Sequence, residues 1–124
     1  MEKLNKKTTL ILGASTKPNR YAYLAAQRLI EAGHPILLVA KRKGQLFGLD
    51  IHDNKVNFEN IDTITLYLNP TNQKEYYDYL VKLKPQRIIF NPGTENEELY
   101  DILKENNINY IEACTLVLLS IDKY

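Results

Sequence analysis

The strongest constraint on what this chain can fold into is an alternation. Short apolar runs rich in β-branched residues recur along it, and most are followed by a segment whose apolar residues repeat at helical spacing. The runs are Thr8 to Leu12, Ile36 to Ala40, Thr63 to Leu68, Arg87 to Phe90 and Tyr110 to Ala113. Between them, Tyr21 to Ala32 carries Leu24, Ala25, Leu29 and Ala32 on one expected helical stripe and stops at Gly33; Gln73 to Leu83 and Glu95 to Glu105 also read as helices. Such an order predicts an α/β fold: a three-layer sandwich around a parallel sheet of about five strands, with right-handed crossovers. Lys41 to Asn60 reads as a polar stretch punctuated by Gly44 and Gly48, with one short extended piece near Lys55 to Phe58. Thr115 to Ser120 reads as a short apolar tail.

The whole chain, residues 1–124, has the size of one domain and can bury a core without staples. A formal charge of +1 gives no global attraction to nucleic acid or other polyanions. Cys114 is the one cysteine, which excludes an internal disulfide and any CxxC motif. Met1 to Lys7 is polar with no apolar stretch behind it, and no run approaches membrane-spanning length. A cytoplasmic protein with no membrane partner is expected.

In sheets of this kind ligands gather at the carboxyl ends of the strands, beside the point where strand order reverses. The candidate loops are therefore Gly13 to Arg20, Lys41 to Gly48, Asn69 to Asn72 and Asn91 to Thr94. The first is the most telling. Thr8 to Leu12 ends in Gly13-Ala14-Ser15, and Lys17 and Arg20 lead into the next helix with no acid between Gly13 and Ile30. A tight strand-to-helix turn with a bare helix amino terminus suits phosphate. By contrast, Thr94 and Glu97 form an expected capping box at the third helix, where Glu95, Glu97 and Glu98 would repel an anion. The end of the second strand discriminates further. A NAD site usually has an acid there; this chain has Lys41-Arg42-Lys43, which suits a ribose bearing an extra phosphate, as in NADP or coenzyme A. The first turn also has one glycine where G-x-G-x-x-G needs three.

With these residues in view, the chain resembles the small stand-alone coenzyme A-binding proteins, whose Rossmann-like domain is shared with the succinyl-CoA synthetase alpha subunit. The resemblance rests on Gly13-Ala14-Ser15 with Lys17-Pro18 and Arg20-Tyr21, the Gly33 stop, the basic loop closing at Gly48, Tyr67-Leu68-Asn69-Pro70, and Glu112-Ala113-Cys114. It implies that Gly13, Ala14 and Ser15 lie against the coenzyme's phosphates, with the Ser15 hydroxyl as a side-chain donor. It implies that Lys41 and Arg42 sit near the ribose 3′-phosphate, and that Asn69, Pro70 and Thr71 flank the adenine or pantetheine. Where many relatives place an Asn-Pro turn after the second strand, this chain has Ala40-Lys41-Arg42-Lys43.

The implied function is binding of coenzyme A or an acyl-CoA by a carrier, sensor or regulatory protein without catalysis of its own. No triad, nucleophile elbow or metal cluster is legible, nor is an ATP-grasp region or a phosphorylated histidine in a glycine-rich loop. Two rivals stand beside it. An NADP-linked oxidoreductase would need a proton donor such as Tyr67 or Tyr21; an interaction module with a vestigial site would use Tyr76, Tyr77 and Tyr79 as its face. A homodimer is compatible with any of these, since a parallel sheet has open edges. The plainer readings are that Ser15 caps a helix, His34 caps the carbonyls of the helix before it, His52 lies in a solvated loop beside Asp50 and Asp53, and Cys114 is a small buried residue.

Overall fold

A computed structural model describes residues 6–124; residues 1–5, most of the polar segment read above as lacking a secretory signal, lie outside the described residues. In chain order the elements are β1 (Thr9–Leu12), α1 (Tyr21–Glu31), β2 (Ile36–Val39), β3 (Gly44–Leu46), β4 (Leu49–His52), β5 (Thr63–Leu66), α2 (Pro70–Gln73), a 3₁₀ turn at Lys74–Tyr76, α3 (Tyr77–Leu83), β6 (Arg87–Phe90), α4 (Glu97–Glu105), β7 (Asn109–Glu112) and α5 (Thr115–Ser120). They form one sheet in the order β3-β4-β2-β1-β5-β6-β7. Every pairing is parallel except the β3–β4 hairpin. The α/β, Rossmann-like expectation holds, with seven strands among the described residues rather than about five.

β1 is central and its side chains alternate between two cores. Leu10 and Leu12 join the cluster beneath α3 and α4, while Ile11 joins that beneath α1. Ala22, Ala25, Ala26 and Leu29 form the buried stripe of α1, at the spacing one helical face requires. Leu24 and Ala32, expected on that stripe, are half-buried and exposed.

Several sequence expectations change. The extra strands come from Gly44 to His52; the extended piece expected near Lys55 to Phe58 is not a strand. Leu46 and Ile51 supply the hairpin's buried side chains, and its turn is Phe47-Gly48, both with positive φ (52° and 80°). Such turns usually announce themselves with Asn-Gly or Asp-Gly, so phenylalanine in the first position conceals this one. The helix expected from Gln73 to Leu83 begins earlier, at Pro70, and is interrupted by the 3₁₀ turn. The apolar tail is a helix, α5, packed against α1. α4 is capped not by Thr94 but by Asn96, whose side chain accepts from the Leu99 amide; Thr94 Oγ1 donates instead to the Asn91 carbonyl. His34 caps through its backbone N–H, which donates to the Leu29 carbonyl, while its Nδ1 accepts from the Lys7 amide. Burial, with Lys7 and Arg87 nearby, holds that imidazole below its ordinary pKa. Among the described residues no helix is long and apolar enough to cross a membrane.

Candidate functional site

Strand order reverses at β1: the chain moves from β1 to β2 on one side, then returns to β5 on the other. The loops that follow β1 and β5 therefore part at their carboxyl ends, leaving the crevice where such folds bind ligands. A cavity of about 580 Å³ occupies this place. Its walls come from the β1–α1 connection (Gly13, Ser15, Lys17, Asn19, Arg20 and the start of α1), from Tyr67, Leu68 and Asn69 after β5, and from Pro92, Gly93 and Thr94 after β6.

Gly13 is what permits the first turn. Its φ is +98°, and a Cβ there would sit 3.0 Å from the carbonyl carbon and oxygen of Tyr67. Both the conformation and the close approach require glycine. The amides of Gly13 and Ala14 do not face the cavity, however: both donate to the Val39 carbonyl, at 2.9 and 3.2 Å. They tie the turn to β2. The expectation that Gly13, Ala14 and Ser15 together cradle an anion is thus narrowed. Ala14 packs toward the core under α1 and is not in the cavity wall, whereas Gly13 and Ser15 are. Ser15 does not cap α1; its Oγ accepts from the Lys17 amide at 3.1 Å.

The amino terminus of α1 carries the electrostatic argument. Its N-cap is Arg20, which makes no side-chain cap hydrogen bond, and its first turn holds no acid. A helix start normally recruits Ser, Thr, Asp or Asn to meet its free N–H groups. Here the positive end of the dipole and the exposed Lys17 and Arg20 all meet at the cavity. The other ends around the cavity are already satisfied. Asn69 Oδ1 accepts from the Asn72 amide and caps α2, while Asn96 caps α4 with Glu97 and Glu98 in its first turn.

Beneath the cavity a buried polar network, not anticipated from the sequence, holds the β5, β6 and β7 loops together. Asn91 Nδ2 donates to Thr65 Oγ1 (2.7 Å) and to the Leu66 carbonyl (2.8 Å), and its Oδ1 accepts from the Thr115 amide (2.9 Å). The Thr65 and Thr115 hydroxyls are bonded at 2.8 Å. Gln73 Nε2 donates to the carbonyls of Leu68 and Thr94, and its Oε1 accepts from Asn96 Nδ2, all at 2.8 Å. Fully paired buried groups of this kind fix a rim before any ligand arrives. In sequence, Asn91 and Gln73 look like ordinary polar residues next to turns, so no local signal marks them. Tyr67 stands against this network, and burial pushes its phenol up to about 12.

The remaining expected residues divide. Asn69 lines the cavity; Pro70 begins α2 and Thr71 is exposed, and neither is in the wall. Lys41 and Arg42 are exposed on the loop after β2, outside the wall. That loop nevertheless runs beside the first turn: a Cβ on Gly44 would lie 3.8 Å from Thr16 Cγ2. Lys41 Nζ reaches toward Glu75, 4.0 Å from its carboxylate. Tyr76 and Tyr79 are buried in the core, and Tyr79 donates to the Val56 carbonyl, so the proposed tyrosine interaction face does not exist. Tyr77 is half-buried between Glu98 and Asn96.

The model of the CoA binding domain family matches residues 7–120 of the chain. A solved structure described as an uncharacterized protein is 51% identical, with 98% of this chain and 100% of that one covered and a TM-score of 0.95. A hypothetical protein from Pyrococcus horikoshii OT3 is 22% identical over 91% of this chain and 81% of its own, with a TM-score of 0.83. A Thermus thermophilus protein is 21% identical over 96% and 91%, with a TM-score of 0.84. The last two speak for the fold alone. No curated protein matches significantly.

Proposed function

We propose, from the premise that this chain belongs to the CoA binding domain family, that it binds coenzyme A or an acyl-CoA in the cavity after β1. The observation that carries this reading is the uncapped, acid-free start of α1, opening with Lys17 and Arg20 onto a crevice of about 580 Å³. The coenzyme's pyrophosphate would lie against Ser15, the first amides of α1, Lys17 and Arg20. The adenosine end would turn toward the β2 side, where Lys41 and Arg42 would swing from solvent to meet the 3′-phosphate. The pantetheine arm would then run across Tyr67 and Asn69 toward the ends of β6 and β7.

The role we propose is to read the coenzyme as a carrier, sensor or regulatory protein, not to transform it. A general acid or base works best with a pKa near the working pH. Tyr67, a perturbed titratable group in the cavity wall, is pushed the other way, to about 12. It serves better as a neutral hydrogen-bond donor than as a proton shuttle.

Calorimetric titration with coenzyme A, its 3′-dephospho form and NADP tests the assignment. Coenzyme A is expected to bind, and Lys17→Ala and Arg20→Ala each to weaken it about tenfold, the scale of a charge-assisted contact of ~1.5 kcal/mol. Loss of the 3′-phosphate should cost affinity in the wild type and nothing in a Lys41→Ala/Arg42→Ala double variant. Heat with NADP and none with coenzyme A would transfer the site to a different nucleotide. Release of free thiol from acetyl-CoA in the presence of the protein would overturn the non-catalytic role.

A further inference from the structure

Beyond the main cavity lies a second, smaller one of about 210 Å³, enclosed by Tyr21, Tyr67, Asn91, Pro92, Cys114 and Leu116. Tyr21, Tyr67 and Pro92 line both spaces, so the two adjoin. The small pocket sits past the ends of β6 and β7, on the side of the phosphate turn opposite the basic loop after β2. A coenzyme laid as proposed above would reach it with its thiol end.

The walls define what fits. Asn91, the polar amide in the lining, has both ends committed, with Nδ2 given to Thr65 and Leu66 and Oδ1 taken by the Thr115 amide. Among the described residues, no Lys, Arg, Asp, Glu or His lines the pocket. The rest of the lining is two tyrosines, a proline, a leucine and a thiol, a mainly apolar wall that favours an apolar, uncharged group. Volume sets a limit as well: an apolar cavity of roughly 150 Å³ accommodates benzene, so this one has room for a short acyl group and not for a fatty chain. Tyr21 is 71% exposed at the mouth, an apolar surface that a thioester passing between the two cavities would cover.

We infer that this pocket takes the acyl group of a short-chain, uncharged acyl thioester whose nucleotide end occupies the main cavity. The inference rests on the coenzyme A reading and specifies which form of the ligand the protein reads. Each buried methylene strengthens binding about fourfold, so butyryl-CoA, with two more than acetyl-CoA, should bind roughly fifteenfold more tightly, and palmitoyl-CoA no better than acetyl-CoA.

The test is calorimetric titration of the wild type, Leu116→Trp and Leu116→Ala with free coenzyme A and with acetyl-, butyryl-, hexanoyl-, succinyl- and palmitoyl-CoA. Leu116→Trp should fill the pocket and erase the butyryl advantage while free coenzyme A still binds through its nucleotide end, which also shows that the variant folds. Leu116→Ala should move the optimum to hexanoyl-CoA. Equal affinity for free, acetyl- and butyryl-CoA would overturn the inference and leave coenzyme A binding standing. So would a butyryl advantage that survives in Leu116→Trp, a chain-length optimum unmoved in Leu116→Ala, or succinyl-CoA preferred to butyryl-CoA. Failure of every thioester and of free coenzyme A to bind would remove the underlying reading itself.

Discussion

Gly13 shows how much one residue can decide. Its positive φ turns the chain out of β1, its amide fastens the turn to Val39, and its missing Cβ lets the Tyr67 backbone pass. Gly13→Ala meets the conformational penalty and the 3.0 Å contacts together. We expect it to lower the unfolding free energy by at least ~1 kcal/mol, the lower end of the cost of a forced left-handed residue. Denaturant melts of the two proteins measure this; a loss below about 0.5 kcal/mol would mean that the turn relaxes and is not held by Tyr67. That a glycine was needed after β1 is visible in the sequence. That its partner is Tyr67 is not, because the two meet only once β1 and β5 have paired.

At the scale of elements, the start of α1 is a place where stability and binding pull apart. Arg20 occupies the N-cap in extended backbone geometry (φ −93°, ψ 143°), which Asp would adopt readily, and the first turn has no acid to meet the dipole. Arg20→Asp should therefore stabilise the free protein by ~0.5–2 kcal/mol through capping and the dipole, while placing a negative charge where the phosphates would go. Thermal melts should show the variant melting higher and calorimetry should show coenzyme A binding lost. A variant that melts higher yet binds as the wild type would separate this helix from the ligand. The contrast between α1 and α4 was legible in sequence, since Lys17 and Arg20 precede one helix and Glu95, Glu97 and Glu98 open the other. The capping residue of α4 was not. Thr94 and Asn96 are both competent caps, and Thr94 is held in the turn after β6, where it donates to the carbonyl of Asn91, a residue fixed by long-range bonds to β5 and α5. The β3–β4 hairpin was hidden for a similar reason: Phe47 tolerates its left-handed φ while its ring packs against Tyr23, 5.1 Å between centroids, a contact supplied by α1.

On the scale of the molecule, the cavity has a rim assembled from three loops and a network that holds them. Asn91 is its keystone, bonded to β5 on one side and to the start of α5 on the other. Asn91→Leu would leave the Thr115 amide and the Leu66 carbonyl without this partner in a buried setting. At ~1–3 kcal/mol for each group left unpaired, the unfolding free energy should drop by at least ~2 kcal/mol. Affinity for coenzyme A should fall as well, although Asn91 is not in the main cavity's wall, because the Pro92–Thr94 rim would lose its anchor. Stability measured by denaturant and affinity by calorimetry check the two halves separately. An unchanged affinity would show that the rim is positioned without the network.

The alternation of strands and helices, the glycine turn after β1, the basic approach to α1 and the basic loop after β2 were all set by the sequence alone. Each is a local pattern, read from residues within one turn or one strand of each other, and local patterns survive whatever the rest of the chain does. The tertiary structure decided the rest: the strand order that opens a crevice at β1, the withdrawal of Ala14 from it, the arrival of Tyr67, Asn91 and Leu116 at one small pocket, and the burial of Tyr76 and Tyr79. These residues lie far apart in sequence, and their meeting depends on which strands pair and in which register. That information is carried by the packing of the two cores on the sheet, which no single segment contains.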